Sequence, residues 1–306
     1  MTKEKKLKII GSIALLFSTI IWGSSFFILK NTIEALPMYF VLAMRFSIGA
    51  LVMGIIGYKY VAKIDKNTFV RGVILGIILG SGYIFQTLGL ERTSPATNAF
   101  LTAAYCVMVP FIGWIIFKKK PTGFNVLAAI VCLLGIGLIS LEGNFRIGIG
   151  DALTLISAVF YALQIVYNVI FLKKSDFRQL LFLELLTVAI ICWIISLSME
   201  KIPTSLSGVQ WLSIVYLGVI ASCAAQFLQI LGQKFTPANN ASIILSLEAV
   251  FGTLFSVAFY HERPSMQMIA GFVTVFIALI ISETGYDIIQ SIKAKKLKEK
   301  GEIKND

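Results

Sequence analysis

Ten long apolar runs, separated by short polar segments, constrain this chain more than any other feature. Seven of them hold no charged residue over 19 or more positions: 9–29, 72–90, 93–117, 121–141, 152–172, 202–233 and 264–282. Three more carry one charge each: 35–58 with Arg45, 179–199 with Glu184 and 235–260 with Glu248. A helix needs about 20 apolar residues to cross the hydrocarbon core of a bilayer. Barrel strands alternate apolar and polar residues over about ten positions, whereas these runs are continuous. Charged residues make up 14% of the chain and hydrophobic ones 57%, against about 25% charged in a soluble domain. Lipid is therefore the medium most side chains are expected to face. The pattern predicts an all-α membrane protein with ten transmembrane helices.

The formal charge of +11 fits orientation in a membrane better than a nucleic-acid partner, because the basic residues sit in short clusters between runs and form no aromatic-interleaved stripe. With the N-terminus inside, 21 Lys and Arg fall in cytoplasmic segments. Five fall outside (Lys30, Arg92, Arg146, Lys201 and Arg263), and Arg45 lies within a span. Cytoplasmic segments carry the excess of basic residues, so both termini are expected in the cytoplasm. Lys3, Lys5, Lys6 and Lys8 resemble the start of a signal peptide, but the following run is too long and no small-residue cleavage site follows, so the first helix is read as retained. Residues 1–8 are a cytoplasmic N-terminus. A lysine-rich cytoplasmic tail, 289–306, is placed to meet anionic lipid.

The sequence also repeats itself weakly. Gln86, Leu88 and Gly89 recur as Gln229, Leu231 and Gly232, and Pro95-Ala96-Thr97-Asn98-Ala99 recurs as Pro237-Ala238-Asn239-Asn240-Ala241. Lys120-Pro121 recurs as Arg263-Pro264, while Gly11, Ser18 and Trp22 align with Gly150, Ser157 and Tyr161. The offsets stay between 139 and 143 residues. The expected units are two five-helix repeats, 9–142 and 150–288. Five is odd, so the second must enter the membrane from the opposite side, giving an inverted repeat as in many secondary transporters, with substrate bound between the halves near the midplane.

Particular residues then carry a resemblance. Trp22-Gly23-Ser24-Ser25-Phe26, Arg45-Phe46, Leu247-Glu248-Ala249-Val250-Phe251 and His261-Glu262-Arg263-Pro264 occur in the order and spacing of the EamA family of the drug/metabolite transporter superfamily. The chain resembles that family over about residues 11–282. Ala249 stands where the family carries proline, which implies a straighter helix there. Lys118-Lys119-Lys120 stands where the first half often carries an acidic residue, which questions a polar cap. The resemblance implies export or import of small metabolites, amino acids among them, and leaves the substrate open.

Charges within a span usually face a cavity or a partner. Glu248 lies about eleven residues into its run, near the midplane at 1.5 Å per residue. It is read either as a group that binds a substrate cation or carries a proton, or as a structural acceptor. Arg45 and Glu184 occupy matching positions, but inversion separates their depths by roughly 10 Å, so a direct bridge would need tilt. Both stay open between structure and function. Trp22, Ser24, Ser25, Tyr105, Tyr161, Gln164 and Asn168 are polar or aromatic near mid-span, where interfacial aromatics do not gather. They either contact substrate or pack the core. Gln86 and Gln229 either line the mouths or bond helices together.

The candidate central-cavity residues are Glu248, Trp22, Ser25, Arg45, Gln86, Tyr105, Tyr161 and Gln164. Gly80, Gly82, Gly135 and Gly137 read as helix contacts rather than a phosphate loop. Cys106, Cys132, Cys192 and Cys223 read as small hydrophobes, and His261 cannot build a metal site with them. No metal, cofactor or enzymatic constellation is expected. The leading reading is a secondary transporter in the plasma membrane. It would move a small polar or amphipathic metabolite, amino acid-like and exported, by alternating access, with proton coupling at Glu248 as one option. Its partners are that solute and membrane lipid, with no nucleic acid. The alternatives are an intramembrane enzyme acting on a lipid, or a non-transporting scaffold or channel.

Overall fold

The computed structural model describes residues 3–118, 120–140, 148–236, 238–278 and 280–281. Lys119, Arg146, Pro237 and the tail 289–306 lie outside the described residues, as do positions 142 and 288, where the two expected repeats end. The described residues form helices and connecting turns, with no strand among them. In chain order the long helices are α1 (Lys3–Ala35), α2 (Met38–Ile56), α3 (Lys66–Arg92), α4 (Pro95–Phe117), α5 (Gly123–Ser140), α6 (Ile149–Phe171), α7 (Phe177–Met199), α8 (Gly208–Phe235), α9 (segments Ala238–Ser246 and Glu248–Phe259) and α10 (Met266–Ala278), with one helical turn, Tyr58–Val61, after α2. Seven, α1 to α4 and α6 to α8, are long and apolar enough to cross a membrane, and the apolar helices at α5, α9 and α10 are shorter.

The charge-free runs become helices because in lipid every backbone N–H and C=O must be satisfied within the segment. Their outer faces stay apolar: Ile55, Leu133, Leu197 and Leu212 are each more than 60% exposed. The ends carry ordinary caps. Asp65 accepts from the N–H groups of Asn67 and Thr68 at the start of α3, at 2.8 and 3.0 Å. Asp176 accepts from Arg178 N–H at the start of α7 (2.9 Å). Ser207 and Gln210 form a capping box at α8. The start of α2 has no side-chain cap of its own. Instead both oxygens of Glu200, just beyond α7, accept from Tyr39 and Phe40 N–H at 2.8 Å.

Two helices are broken. In α4 the break falls at Ala104, whose N–H reaches back three residues to Leu101 (3.3 Å). In α9 it falls at Leu247, whose N–H reaches Ile244 (3.2 Å). Both are one tight turn in an otherwise regular helix. The α9 break thus lies two residues before Ala249, in a stretch with no proline. Both segments pack on α1 but they part at α4: Glu248–Phe259 packs on its first segment and Ala238–Ser246 on its second. The two helices also end alike, on residues in the left-handed conformation, Lys118 (φ 59°) and His261 (φ 57°). At its start α4 is capped from both sides: Ser94 accepts from Thr97 N–H at 3.2 Å, and Glu262, far along the chain, accepts from Ala96 N–H at 3.2 Å.

The principal packed pairs are α3 with α6 and α7, α2 with α7 and α8, α1 with α8 and α9, and α4 with α6 and α9. Small residues let backbones meet at these crossings. A Cβ on Gly89 of α3 would lie 2.7 Å from the Gly150 carbonyl oxygen of α6, and one on Gly232 of α8 would lie 2.9 Å from the Gly11 carbonyl oxygen of α1. Gly135 of α5 meets Gly271 of α10 in the same way, while Gly80 has only ordinary contacts.

Candidate functional site

A cavity of about 40 Å³ lies at the centre of the bundle. Its walls come from α1, α2, α3, α4, α6, α8 and α9, so both parts of the chain build it. All eight residues singled out from the sequence line it: Trp22, Ser25, Arg45, Gln86, Tyr105, Tyr161, Gln164 and Glu248. Tyr83, Thr102, Gln226 and Gln229 join them. Ser24 and Asn168 do not. Ser24 bonds the Tyr216 hydroxyl, and Asn168 donates to Gln233 at 3.2 Å.

The breaks described above set the cavity's chemistry. Glu248 is the first residue of the second segment of α9, and Tyr105 holds that place in α4. The start of a helix favours negative charge, and the break brings such a start inside the bundle. Glu248 is 4% exposed and Tyr105 3%. Among the described residues no basic side chain pairs with Glu248 or with Glu184.

A polar chain runs across one wall. Gln229 donates to the Gln164 side-chain oxygen at 3.2 Å, and Gln164 donates to Glu184 at 3.2 Å. Glu184 itself is fully buried behind this wall, with its second carboxylate oxygen unpartnered. On the α3 side Tyr161 donates to Gln86 at 2.9 Å, and Gln86 donates to Thr102 at 3.2 Å. Gln86 and Gln229 thus both line the cavity and bond helices together. Trp22 donates its indole N–H to the Ala221 carbonyl at 2.9 Å, so it is held edge-on by α8.

Arg45 and Glu184 make no direct bridge. The Arg45 Nε donates to the Ser222 hydroxyl at 2.9 Å, and its guanidinium lies 4.9 Å from the Tyr83 ring centre and 5.1 Å from that of Phe46. Ser222 and Ala221 both sit in a stretch of α8, Tyr216–Ala224, that is wound as a π-helix. Such stretches are rare and often mark functional positions. The widened turn holds both groups that fix Arg45 and Trp22.

Chemically the cavity offers one guanidinium, one carboxyl facing the cavity, amides and aromatic faces. It has no nucleophile–base pair, and no cluster of metal-binding side chains occurs among the described residues. Larger surface grooves, of about 310 and 510 Å³, are lined almost wholly by apolar residues on the outer faces of the helices. The four cysteines are buried and none is joined in a disulfide.

Comparison with known proteins gives a consistent picture. A protein of Archaeoglobus fulgidus described as an uncharacterized transporter is 27% identical over 277 residues, covering 90% of this chain and 86% of that protein. A biotin transporter of Salmonella typhimurium is 23% identical over 267 residues, covering 82% of this chain and 85% of its own. A solved crystal structure superposes with a TM-score of 0.68 at 17% identity, over 91% of this chain and 98% of the other, and so shares the fold. The model of the EamA-like transporter family matches residues 9–141 and again 148–284. Together with the membrane-length helices, that double match identifies a multi-pass integral membrane protein, and the chain belongs to the EamA-like transporter family.

Proposed function

We propose that this transporter moves a small polar or amphipathic, amino acid-like solute out of the cell by alternating access between two inverted five-helix repeats, 9–142 and 150–288. In this reading all ten helices span the plasma membrane and both termini face the cytoplasm. The observation that carries it is an internal cavity with walls from both repeats, where Arg45, Glu248 and several glutamines stand among apolar and aromatic side chains.

The packing supports the inversion. Exchange each helix with the one five later. The α1–α8 pair becomes α6–α3, α1–α9 becomes α6–α4, and α2–α8 becomes α7–α3, while α2–α7 and α4–α9 map onto themselves. Every exchanged pair is one that packs. Two such halves can trade conformations, so an outward-open state implies an inward-open one of similar energy. At about 40 Å³ the cavity holds a few waters. A metabolite enters only when the halves part, as a gated carrier requires.

Glu248 is the group assigned to coupling. It binds a cationic end of the solute or carries a proton, since an unpaired buried charge is too unfavourable to persist. The biotin transporters among the relatives keep a carboxylate-bearing solute in view as well. The test is flux of labelled amino acids and biotin into vesicles holding the purified chain, with and without a pH gradient. Saturable flux that responds to the gradient supports the reading. Absence of flux for every solute, with the protein folded, contradicts it.

A further inference from the structure

The geometry points to Arg45 as a carboxylate anchor in the central cavity, so that the transported solute is one bearing a free carboxylate group. This rests on the reading of the cavity as the transport site and names what that site selects.

Arg45 is 1% exposed in the middle of an apolar helix. A guanidinium there must be hydrogen-bonded or ion-paired, because removing it from water without partners is very unfavourable. Nε is bonded to Ser222, while Nη1 and Nη2 are buried without a hydrogen bond of good geometry, the Tyr83 side chain being their polar neighbour. No carboxylate lies within ion-pairing distance of it among the described residues. Glu184, at the matching sequence position, is instead committed to Gln164.

The unbonded pair forms the end of the guanidinium fork. Two parallel N–H groups on that edge match the two oxygens of a carboxylate. The rest of the side chain is held in place. Ser222 fixes Nε, and the rings of Phe46 and Tyr83 lie within about 5 Å of the guanidinium carbon. A Cβ on Gly218 would come within 2.8 Å of the Arg45 carbonyl oxygen, so α8 is pressed against α2 at this residue. A group used only for structure would have its Nη donors taken up by neighbouring carbonyls. Here the backbone is tight and the fork is left for a ligand. The same cavity offers Trp22, Tyr105 and Tyr161 to an apolar or aromatic remainder of the solute, and Glu248 to a cationic one.

Purified protein in detergent is challenged with leucine, phenylalanine and biotin, with the primary amide of each, and with inorganic phosphate, reading the melting temperature, which rises when a ligand binds the folded state alone. At least one acid is expected to stabilise the wild type while its matched amide does not. Arg45→Lys keeps the charge but loses the fork and is expected to weaken that acid at least tenfold, and Arg45→Gln to remove the response. The acid–amide comparison needs no variant, so it stands even if a variant fails to fold. Equal stabilisation by acid and amide, stabilisation by none of the acids, or a stronger response to phosphate overturns the anchor. So does an unchanged response in folded Arg45→Lys and Arg45→Gln. Flux in vesicles separates the two readings. Amides carried as fast as acids would leave the transport reading standing and remove the anchor, whereas no flux of either would remove the transport reading itself.

Discussion

Helices α4 and α9 lie 143 residues apart in sequence and are built alike, yet they present different chemistry. Each breaks once, at Ala104 and at Leu247, and each ends on a left-handed residue, Lys118 and His261. Directly after the break one places a tyrosine in the cavity and the other a carboxylate. The α2 and α7 pair repeats the lesson. Arg45 and Glu184 stand at matching positions, with α8 and α3 pressed onto their carbonyls through Gly218 and Gly76. One side chain lines the cavity with a free fork, and the other is closed off behind Gln164. The frame is kept by small residues and breaks that serve both halves equally. The proposed function is assigned where matched positions differ.

The largest effect is expected at the α4–α9 pair. Glu248→Gln keeps shape and hydrogen bonding but cannot ionise. Hydrogen bonds to charged groups are worth about 1.5–3 kcal/mol, so flux should fall by roughly tenfold to a hundredfold with little change in melting temperature. Tyr105→Phe removes a neutral hydroxyl, worth about 0.5–1.5 kcal/mol, and should lower flux by roughly tenfold at most. Equal losses at both sites would erase the functional difference. Lost stability with normal flux per folded molecule would make Glu248 structural.

Next come the residues that serve the halves equally. Gly89→Ala and Gly232→Ala each push a methyl group into a facing helix backbone. Overpacking of this kind is destabilising by about 1–3 kcal/mol. Both variants should lower the melting temperature by similar amounts. A large loss for one and none for the other would show that the two crossings do not share one design.

The smallest effect concerns helix starts. Losing a cap is destabilising by about 1 kcal/mol. Asp176→Ala removes a cap within α7, whereas Glu200→Ala frees two N–H groups of α2 and unties α2 from the end of α7. The Glu200 variant should melt lower than the Asp176 variant. The reverse order would place the weight on local capping.

Much of this was legible in the sequence, and for a physical reason. Apolar runs of membrane length admit one regular structure, so the helices could be read directly. Lone charges in such runs point inward, which brought Arg45 and Glu248 to the cavity. The same rule did not separate Glu184, whose burial behind Gln164 is a matter of packing. No proline or glycine stands at Ala104 or Leu247 themselves, and Pro110, six residues past the first break, and Gly218, inside the π-stretch at Tyr216–Ala224, do not by type announce where the winding changes. Tyr83 and Gln226 were overlooked although a signal existed: each lies three residues before a glutamine already singled out, hence on the same helix face.

Alternating access through the central cavity is tested most directly at Ser25, which lines it and is 8% exposed. Ser25→Cys is placed in a chain whose four native cysteines are alanine, and membrane-impermeant thiol reagents are applied to right-side-out and inside-out vesicles. The account predicts labelling from both faces, slowed by a transported solute. Labelling from one face only, whatever the solute or gradient, would contradict it.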